Sequence, residues 1–311
     1  MPPSPTAFAD VLVLTGPTGS GKSGLALELA EDIGAEIVSM DSMTLYRGLD
    51  IGTAKPSRAE RDRVRHHLVD VLDPWEAGNV AWWLGEAAKA CDDIRGRGKR
   101  PLVVGGTPMY LKALLYGLFD GPPADPTVRA ELEAEAARVG VDAFHARLAA
   151  VDPTTAARLH PNDVRRVVRA LEVFAVSGRP LSAFPQTWDS SDVPAVPAVL
   201  LEWPRDELYR RIDARVDAML AAGWLDEVRR LRELPRPVGK EAAQALGYRE
   251  LFAFLDGKCS WGETVALIKT HTRQFAKRQL TWFRHLPGLA PVAGDRVAVA
   301  EAVRKAWQIP D

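Results

Sequence analysis

The chain has little of several features that mark particular classes of protein. Its 311 residues include two cysteines, Cys91 and Cys259, with neither a CxxC pair nor metal-ligand spacing, so we expect reduced, structural thiols in a cytosolic protein. The net charge of −1 provides no overall positive field for nucleic acid, so any basic surface must be local. No apolar run approaches the roughly 18 residues of a membrane-spanning helix, and residues 1–10 lack the features of a secretion signal. A hydrophobic content of 47% is enough for a large core and for more than one domain.

A phosphate-binding loop is the most informative motif that is present. Residues 16–23 read Gly16-Pro17-Thr18-Gly19-Ser20-Gly21-Lys22-Ser23, a complete G-x-x-x-x-G-K-[ST] pattern between a β-type run, 11–14, and a helical pattern, 24–30. The glycines allow backbone N–H groups to turn toward phosphate oxygens, and the following helix N-terminus adds partial positive charge. Lys22 is predicted to reach the outer phosphate, and the Ser23 hydroxyl is predicted to ligate Mg²⁺. The loop thus predicts a bound di- or triphosphate without indicating which one.

Alternating β-type and helical patterns predict an α/β fold with a P-loop NTPase-like parallel sheet. The expected strands are Val11–Thr15, Glu36–Ser39, Leu102–Val104 and, much later in the chain, Ala198–Glu202, and the clearest early helices are Ser23–Asp32 and Val80–Ile94. After residue 203 the chain is mostly helical, with a long amphipathic pattern over Arg205–Leu234. A capping box of Ser260 and Glu263 predicts a further helix that runs to about Arg284.

Between the third and fourth predicted strands lies a segment rich in Ala, Arg and Glu. Breaker residues at 120–126 precede helical stretches at about 126–140, 141–150, 153–159 and 162–177, and a second loose segment, Pro185–Pro197, follows. Asp125-Pro126 and Asp152-Pro153 each fit an N-cap followed by proline at the first helical position. We therefore expect a small all-helical domain, 124–192, inserted into a core made of residues 1–123 and 193–311.

Asp41 is a candidate for acid–base chemistry. Most P-loop hydrolases hold Mg²⁺ with an aspartate at the end of a later strand, but the third predicted strand ends in Gly105-Gly106-Thr107 without an acid. Asp41 instead follows the second strand, and the strand ends of an open α/β sheet face the ligand crevice. Its carboxylate is expected near the phosphates, although a loop aspartate that caps a turn is the alternative from position alone.

Five segments together resemble the tRNA dimethylallyltransferases. With the phosphate-binding loop, they follow the order of that family's motifs over about residues 16–284. They are Asp41–Pro56 (D-S-M-T-L-Y-R-G-L-D-I-G-T-A-K-P), His66–Asp70 (H-H-L-V-D), Gly105–Tyr110 (G-G-T-P-M-Y), His160–Glu172 (H-P-N-D-V-R-R-V-V-R-A-L-E) and Lys277–Arg284 (K-R-Q-L-T-W-F-R).

The resemblance implies transfer of a dimethylallyl group from dimethylallyl diphosphate to N6 of adenosine 37 in certain tRNAs. The P-loop, Gly16–Ser23, would then bind a diphosphate leaving group with Mg²⁺ on Ser23, and Arg215 is a weaker candidate for added positive charge there. Asp41 would accept the N6 proton. Thr107 corresponds to the family threonine that contacts the tRNA and the scissile oxygen.

The same resemblance implies a set of residues that contact the tRNA. The insert would bind the anticodon stem, and the core would hold the extruded adenine. The set is Asp41, Ser42, Met43, Thr44, Thr107, Arg129, Arg165, Arg166, Val167, Val168, Arg169, Gln244, Gly247, Tyr248, Arg249, Lys277, Arg278, Gln279, Leu280, Thr281, Trp282, Phe283 and Arg284.

Charge placement supports an RNA-facing surface on the last predicted helix. Residues 264–294 contain no Asp or Glu, and Lys269, Arg273 and Lys277 recur every four residues on one helical stripe. We expect these side chains to lack counter-charges and to face phosphates, whereas a solvated surface helix is the ordinary alternative. Arg165 and Arg169 likewise share one face of a helix in the insert.

Two other functions remain open from the residues alone. A P-loop kinase or an isopentenyltransferase acting on a free adenine nucleotide would need neither the insert nor the basic helix, and a non-catalytic RNA-binding protein would not need an intact Lys22, Ser23 and Asp41. The sequence analysis therefore predicts a cytoplasmic, Mg²⁺-dependent transferase that binds tRNA and dimethylallyl diphosphate, does not enter a membrane and acts as a monomer.

Overall fold

The computed structural model describes residue 3 and residues 5–119, 121–184, 196–293 and 296–309. The chain divides into two compact units, Met1–Tyr116 with Asp192–Asp311, and Gly117–Ser191. Within the described ranges, no helix combines the length and the apolar content that crossing a bilayer requires.

The first unit is built on a six-stranded sheet in which every pairing is parallel. Its strands are β1 (Leu12–Thr15), β2 (Ala35–Ser39), β3 (His66–His67), β4 (Arg100–Gly105), β5 (Ala198–Leu201) and β6 (Leu289–Val292). They lie in the order β3-β2-β4-β1-β5-β6. The predicted α/β fold and its four strands are confirmed, with ends that differ by up to two residues. The sequence analysis missed the two edge strands, since β3 has only two residues and β6 contains Pro291, which interrupts a strand pattern.

Helices surround this sheet and supply the walls of the site. They are α1 (Lys22–Ile33), α2 (Arg58–Arg63), α3 (Val80–Gly96), α4 (Pro108–Tyr116), α9 (Arg205–Ala221), α10 (Trp224–Arg232), α11 (Lys240–Ala243), α12 (Tyr248–Leu255), α13 (Trp261–Arg284) and α14 (Arg296–Ala306), with α5–α8 in the second unit. The capping box of Ser260 and Glu263 at the start of α13 is confirmed. The single helix predicted over Arg205–Leu234 is wrong, because Gly223 adopts a left-handed φ of 95° and separates α9 from α10.

The core of the first unit explains why the central strands read as continuous apolar runs. All residues of β1 and β2 are buried, as expected of strands that are covered on both faces. Leu25 and Leu29 of α1 pack on one face, together with Val303 and Trp307 of the C-terminal segment. The end of β1 and the start of α1 are thereby fixed relative to each other, which determines the position of the loop between them.

The second unit is helical and has its own core. It contains α5 (Pro126–Val139), α6 (Val141–Val151), α7 (Pro153–Ala156) and α8 (Val164–Ser177). The predicted N-caps are confirmed, since the side chains of Asp125 and Asp152 accept hydrogen bonds from the first turns of α5 and α7, each with proline at the helix start. Residues 185–195, most of the predicted loose segment, lie outside the described residues.

Candidate active site

The phosphate-binding loop between β1 and α1 has the backbone conformation that its glycines permit. Gly19 and Gly21 adopt left-handed φ values of 82° and 85°. A Cβ on Gly19 would also lie 2.9 Å from Cγ1 of Ile212, so α9 packs directly against the loop. Gly21 is the N-cap of α1 and has no side chain to occupy the first N–H groups of the helix. The helix N-terminus is thus left with donors for an anion.

Side chains from α9 and from the end of β5 brace this loop. Nε of Arg211 donates to the Gly19 carbonyl at 3.0 Å, and its guanidinium stacks on Trp203, 4.2 Å from the ring centroid. The Trp203 indole in turn donates to the Ser20 carbonyl at 2.9 Å. These carbonyls face protein donors. Of the loop's N–H groups, that of Thr18 donates to Oε1 of Gln279 at 2.9 Å and that of Ser20 donates to the Pro17 carbonyl at 3.2 Å. The N–H groups at the start of α1 are left for a ligand.

Two cations stand at the loop without a carboxylate partner. Lys22 makes only a long hydrogen bond, 3.4 Å, from Nζ to the Pro17 carbonyl, and neither Lys22 nor Arg215 forms an ion pair with any described residue. Burial, reinforced by repulsion from Arg215, lowers the pKa of Lys22 to about 8. Burial also lowers the pKa of Arg215, against an opposing attraction from Asp41. Two mutually repelling cations indicate a site prepared for a polyanion.

Asp41 and Thr107 meet at neighbouring strand ends. Asp41 follows β2, and its Oδ1 accepts a hydrogen bond from the Met43 N–H at 2.8 Å. Thr107 follows β4, and its hydroxyl accepts from the Ser42 N–H at 3.1 Å. The other carboxylate oxygen of Asp41 has no hydrogen-bond partner among the described residues, so it is available to accept a proton.

Gly105 allows these strand ends to come together. A Cβ there would lie 2.0 Å from the Met40 carbonyl oxygen, which no side chain could accommodate. The N–H of Thr107 donates to that same carbonyl at 3.3 Å. The G-G-T sequence is thus required by close packing of two loops rather than by a turn.

A cavity of about 570 Å³ joins the cations to the strand ends. Its floor is polar, whereas the α9 wall offers Ile212, Val216 and Met219. Of the predicted site residues, those that line it are Thr18, Lys22, Ser23, Asp41, Ser42, Met43, Thr44, Thr107, Arg215, Gln244, Tyr248, Arg249, Arg278 and Gln279. The structure therefore brings Thr18, Lys22, Ser23 and Arg215, of the predicted diphosphate residues, into one space with Asp41, Thr107 and an apolar wall. The other predicted loop residues, Gly16, Pro17, Gly19, Ser20 and Gly21, are not part of its lining.

Glu227 organises one wall of the cavity and was missed by the sequence analysis. Its buried carboxylate accepts hydrogen bonds from the N–H groups of Asp50 and Ile51 and from the Tyr248 hydroxyl, at 3.1, 2.8 and 2.5 Å. The segment after Asp41 is thereby tied to α12. An acidic residue in an amphipathic helix gives no sign in the sequence that its partners are distant backbone groups.

Several residues of α13 that were predicted to contact tRNA have other surroundings. Gln279 and Phe283 are buried, and Leu280 is partly buried against Leu208 and Ile212. The Trp282 ring lies under the ammonium group of Lys112, 5.7 Å from its centroid. The other predicted residues of α13 are exposed: Lys277, Arg278, Thr281 and Arg284. Near α12, Gln244 and Arg249 are exposed, whereas Gly247 and Tyr248 are buried.

The expectation that the stripe on α13 lacks counter-charges is wrong for two of its members. Lys269 pairs with Asp217 at 2.7 Å, and Arg273 pairs with Asp213 at 2.7 Å. Both carboxylates belong to α9, where they are also four residues apart, and this matching spacing is the signal that could have revealed the pairing. Arg284 lies 3.7 Å from Glu202.

In the second unit, two of the predicted arginines point to a buried carboxylate. Arg129 and Arg169 each donate to Oε2 of Glu172 at 2.7 Å, and Glu172 is fully buried. Burial raises the pKa of Glu172, but the hydrogen bonds from the two arginines outweigh it and hold that pKa below its usual range. Both arginines therefore help to hold the unit together.

Val167 and Val168 require a correction as RNA contacts. Both side chains are buried in the core of the second unit with Phe144 and Leu171, because they lie on the apolar face of α8. Arg165 and Arg166 lie on the exposed face of the same helix, and Arg166 is 3.1 Å from Asp163. The surface of α8 thus offers arginines rather than valines.

Comparisons with known proteins identify the family to which this chain belongs. The IPP transferase family matches residues 44–286, and the isopentenyl transferase family matches residues 9–74. The chain is 52% identical over 275 residues to a tRNA dimethylallyltransferase of Geobacter metallireducens, in an alignment that covers 88% of this chain and 89% of the relative. It is 49% identical over 280 residues to the enzyme of that name from Geobacter sulfurreducens, with 90% of each chain covered.

Two solved structures of transferases superpose on this chain over most of its length. A tRNA isopentenylpyrophosphate transferase from Bacillus halodurans superposes with a TM-score of 0.70 at 35% identity, covering 96% of this chain and 97% of the other. A eukaryotic dimethylallyltransferase described as acting on tRNA superposes with a TM-score of 0.76 at 30% identity, covering 91% and 73%. The chain therefore belongs to the IPP transferase family, and the two relatives named above are tRNA dimethylallyltransferases.

Proposed function

We propose that the protein transfers the dimethylallyl group of dimethylallyl diphosphate to N6 of adenosine 37 in tRNA. The observation that carries this proposal is the shared cavity in which Lys22 and Arg215 face Asp41 and Thr107. A diphosphate fits the cations, and an amine that must lose a proton fits the free carboxylate oxygen. The apolar wall beside them suits a five-carbon prenyl group.

In this reaction the N6 nitrogen forms a bond to the first carbon of the dimethylallyl group as the bond from that carbon to the diphosphate oxygen breaks. The diphosphate leaves with the electron pair, and its growing charge is stabilised by Lys22, Arg215 and the N–H groups at the start of α1. The exocyclic amine is a poor nucleophile because the ring withdraws its lone pair. Asp41 accepts the N6 proton as the new bond forms, and Thr107 orients the reacting groups.

Mg²⁺ would be held by the hydroxyl of Ser23 together with oxygens of the diphosphate and water. Ser23 fits this role because it lines the cavity directly after Lys22, and its hydroxyl has no hydrogen-bond partner among the described residues. Mg²⁺ commonly uses few protein ligands when it binds with a substrate phosphate. When bound, the ion would neutralise charge on the departing diphosphate.

The tRNA has to present its adenine outside the stacked anticodon loop, because the acid–base groups lie within the cavity. We propose that the exposed cations Lys277 and Arg278, and Arg165 and Arg166 of the second unit, contact RNA phosphates. Arg249 and Gln244 extend the cavity lining and are placed for contacts near the adenine. We propose that the protein acts in the cytoplasm, because tRNA resides there. We also propose that it acts as a monomer.

Acceptor labelling tests the proposal. Purified protein is incubated with radiolabelled dimethylallyl diphosphate, Mg²⁺ and either tRNA or AMP, and the labelled acceptor is identified by nuclease digestion. Label on adenosine 37 of tRNA is expected. Label on AMP would favour the isopentenyltransferase that acts on a free nucleotide, and γ-phosphate transfer from ATP to a nucleotide would favour a kinase.

A further inference from the structure

Gln279 joins two loops that belong to different parts of the active site. Its side chain is 3% exposed. Oε1 accepts a hydrogen bond from the Thr18 N–H at 2.9 Å, and Nε2 donates to the Gly106 carbonyl at 2.6 Å. The amide orientation is fixed by chemistry, because one partner can only donate and the other can only accept.

The Gly106 end of this bridge continues to the acid–base groups. Gly106 precedes Thr107, whose hydroxyl accepts from the Ser42 N–H beside Asp41. A Cβ on Gly106 would lie 2.7 Å from Nε2 of Gln279 and 2.9 Å from the Gly16 carbonyl oxygen. The phosphate-binding loop and the end of β4 are therefore in direct contact, with Gln279 bonded to both.

We propose that Gln279 is a positioning residue, which holds the diphosphate loop at a fixed distance from Thr107 and Asp41. This inference rests on the proposed function, and it assigns to Gln279 a role different from the tRNA contact that its motif suggests. A transfer reaction depends on the separation of leaving group and nucleophile, and small displacements of either cost rate. A buried amide bonded to both loops sets that separation.

The test compares two variants of α13 that each remove hydrogen bonds between this helix and another part of the protein. Gln279→Met keeps the length of the side chain and loses both hydrogen bonds. Arg273→Met, the matched control on the same helix, loses the bonds to Asp213 of α9 but has no bond to Gly106. We expect Gln279→Met to lower the single-turnover rate at saturating substrates by roughly tenfold to a hundredfold, because it removes two hydrogen bonds. Arg273→Met is expected to change that rate less than about threefold, because the Arg273 side chain bonds α9 and its own helix.

A double-mutant cycle with Thr107→Val tests the route of the effect. If Gln279 acts through Gly106 and Thr107, adding Gln279→Met to Thr107→Val lowers the rate by less than about threefold further, whereas adding it to the wild type lowers the rate by the full tenfold to hundredfold. If the effects of Gln279→Met and Thr107→Val on the single-turnover rate multiply, the proposal is wrong. So would a tRNA Kd raised more than about tenfold with an unchanged single-turnover rate, since that result assigns Gln279 to RNA binding.

Amide hydrogen exchange supplies a readout that does not depend on the reaction. Exchange at the Gly106 and Thr107 amides should accelerate in Gln279→Met and not in Arg273→Met, because only the first variant removes the bond to Gly106. Equal exchange in the wild type and Gln279→Met would reject the bridge even if acceptor labelling succeeds, and faster exchange with no labelling would reject only the proposed function. If Gln279→Met does not melt cooperatively, Gln279→Glu replaces it, since it retains the Thr18 bond and removes the Gly106 bond.

Discussion

Each of the two compact units holds a pair of positively charged side chains, and the pairs differ in what neutralises them. Arg129 and Arg169 of the helical unit share the buried carboxylate of Glu172. Lys22 and Arg215 of the α/β unit repel each other, and the carboxylate that acts on both, Asp41, forms no ion pair with either. Two cations that share a buried carboxylate help to hold the fold together. Two cations without an ion pair remain able to bind an anionic ligand.

Replacing Asp41, the carboxylate that shares the cavity with Lys22 and Arg215, should have the largest effect. Asp41→Asn keeps size and the bond from the Met43 N–H but removes the proton acceptor, so the single-turnover rate should fall by roughly 10²–10⁴. Melting temperature and tRNA affinity should be unchanged. Asp73→Asn removes a carboxylate from an exposed pair with Arg47 and serves as the control, with a rate within about twofold of wild type. A decrease of less than about tenfold for Asp41→Asn would exclude it as the base.

Removing the negative charge of Glu172 should lower the stability of the helical unit and not the reaction rate. Glu172→Gln leaves Arg129 and Arg169 without a counter-charge, and we expect the helical unit to lose about 2 kcal/mol, less than for a fully buried pair because both arginines are partly exposed. Exchange of α5 and α8 amides measures this decrease. Glu135→Gln breaks an exposed pair with Arg147 in the same unit and should cost under about 1 kcal/mol.

The same comparison predicts a pH dependence of the helical unit. Because the pKa of Glu172 is lower in the folded chain, its stabilisation is present above the unfolded pKa and is lost as the pH falls through the folded value. Protection of α5 and α8 should therefore decline in acid for the wild type. The absence of that decline in Glu172→Gln would assign it to this group, and an identical decline in both would contradict the assignment.

Deprotonation of Lys22 should have a smaller effect on the reaction, centred on a defined pH. Its pKa of about 8 means that the free enzyme loses this charge above pH 8, so kcat/KM for dimethylallyl diphosphate should fall about tenfold between pH 7 and pH 9. Lys22→Arg keeps its charge over this range. Whatever its absolute activity, the variant should show no decline centred near pH 8, and the persistence of that decline would assign it to another group.

The sequence predicted the parts of the site that depend on local chemistry. Gly19, Gly21 and Lys22 are specified by a continuous motif whose spacing follows from phosphate geometry, and Asp41 by its place after a buried strand. It did not predict the partners of Lys269 or Gln279, because these lie on elements 52 to 261 positions away along the chain. A charged side chain is visible in a sequence, but its neutralisation is decided by tertiary packing.

The smallest expected effect distinguishes paired from unpaired cations on one helix. Lys277 and Arg278 of α13 have no ion pair among the described residues, whereas Lys269 and Arg273 are paired with α9. Neutralising a phosphate releases counterions, so Lys277→Ala with Arg278→Ala should weaken tRNA binding and flatten its log–log salt dependence by somewhat under one unit for each phosphate that is no longer neutralised. Affinity for dimethylallyl diphosphate should change little.

Lys269→Ala with Arg273→Ala makes the same change of charge on the same helix and is the matched control. Because those cations already face Asp217 and Asp213, this variant should keep the salt slope of the wild type and reduce stability by about 1 kcal/mol for each partly exposed pair. Slope and melting temperature are measured on one preparation of each protein. If the control flattens the slope as much as the first variant does, pairing with α9 does not withdraw these cations from RNA, and the distinction between paired and unpaired cations fails on this helix.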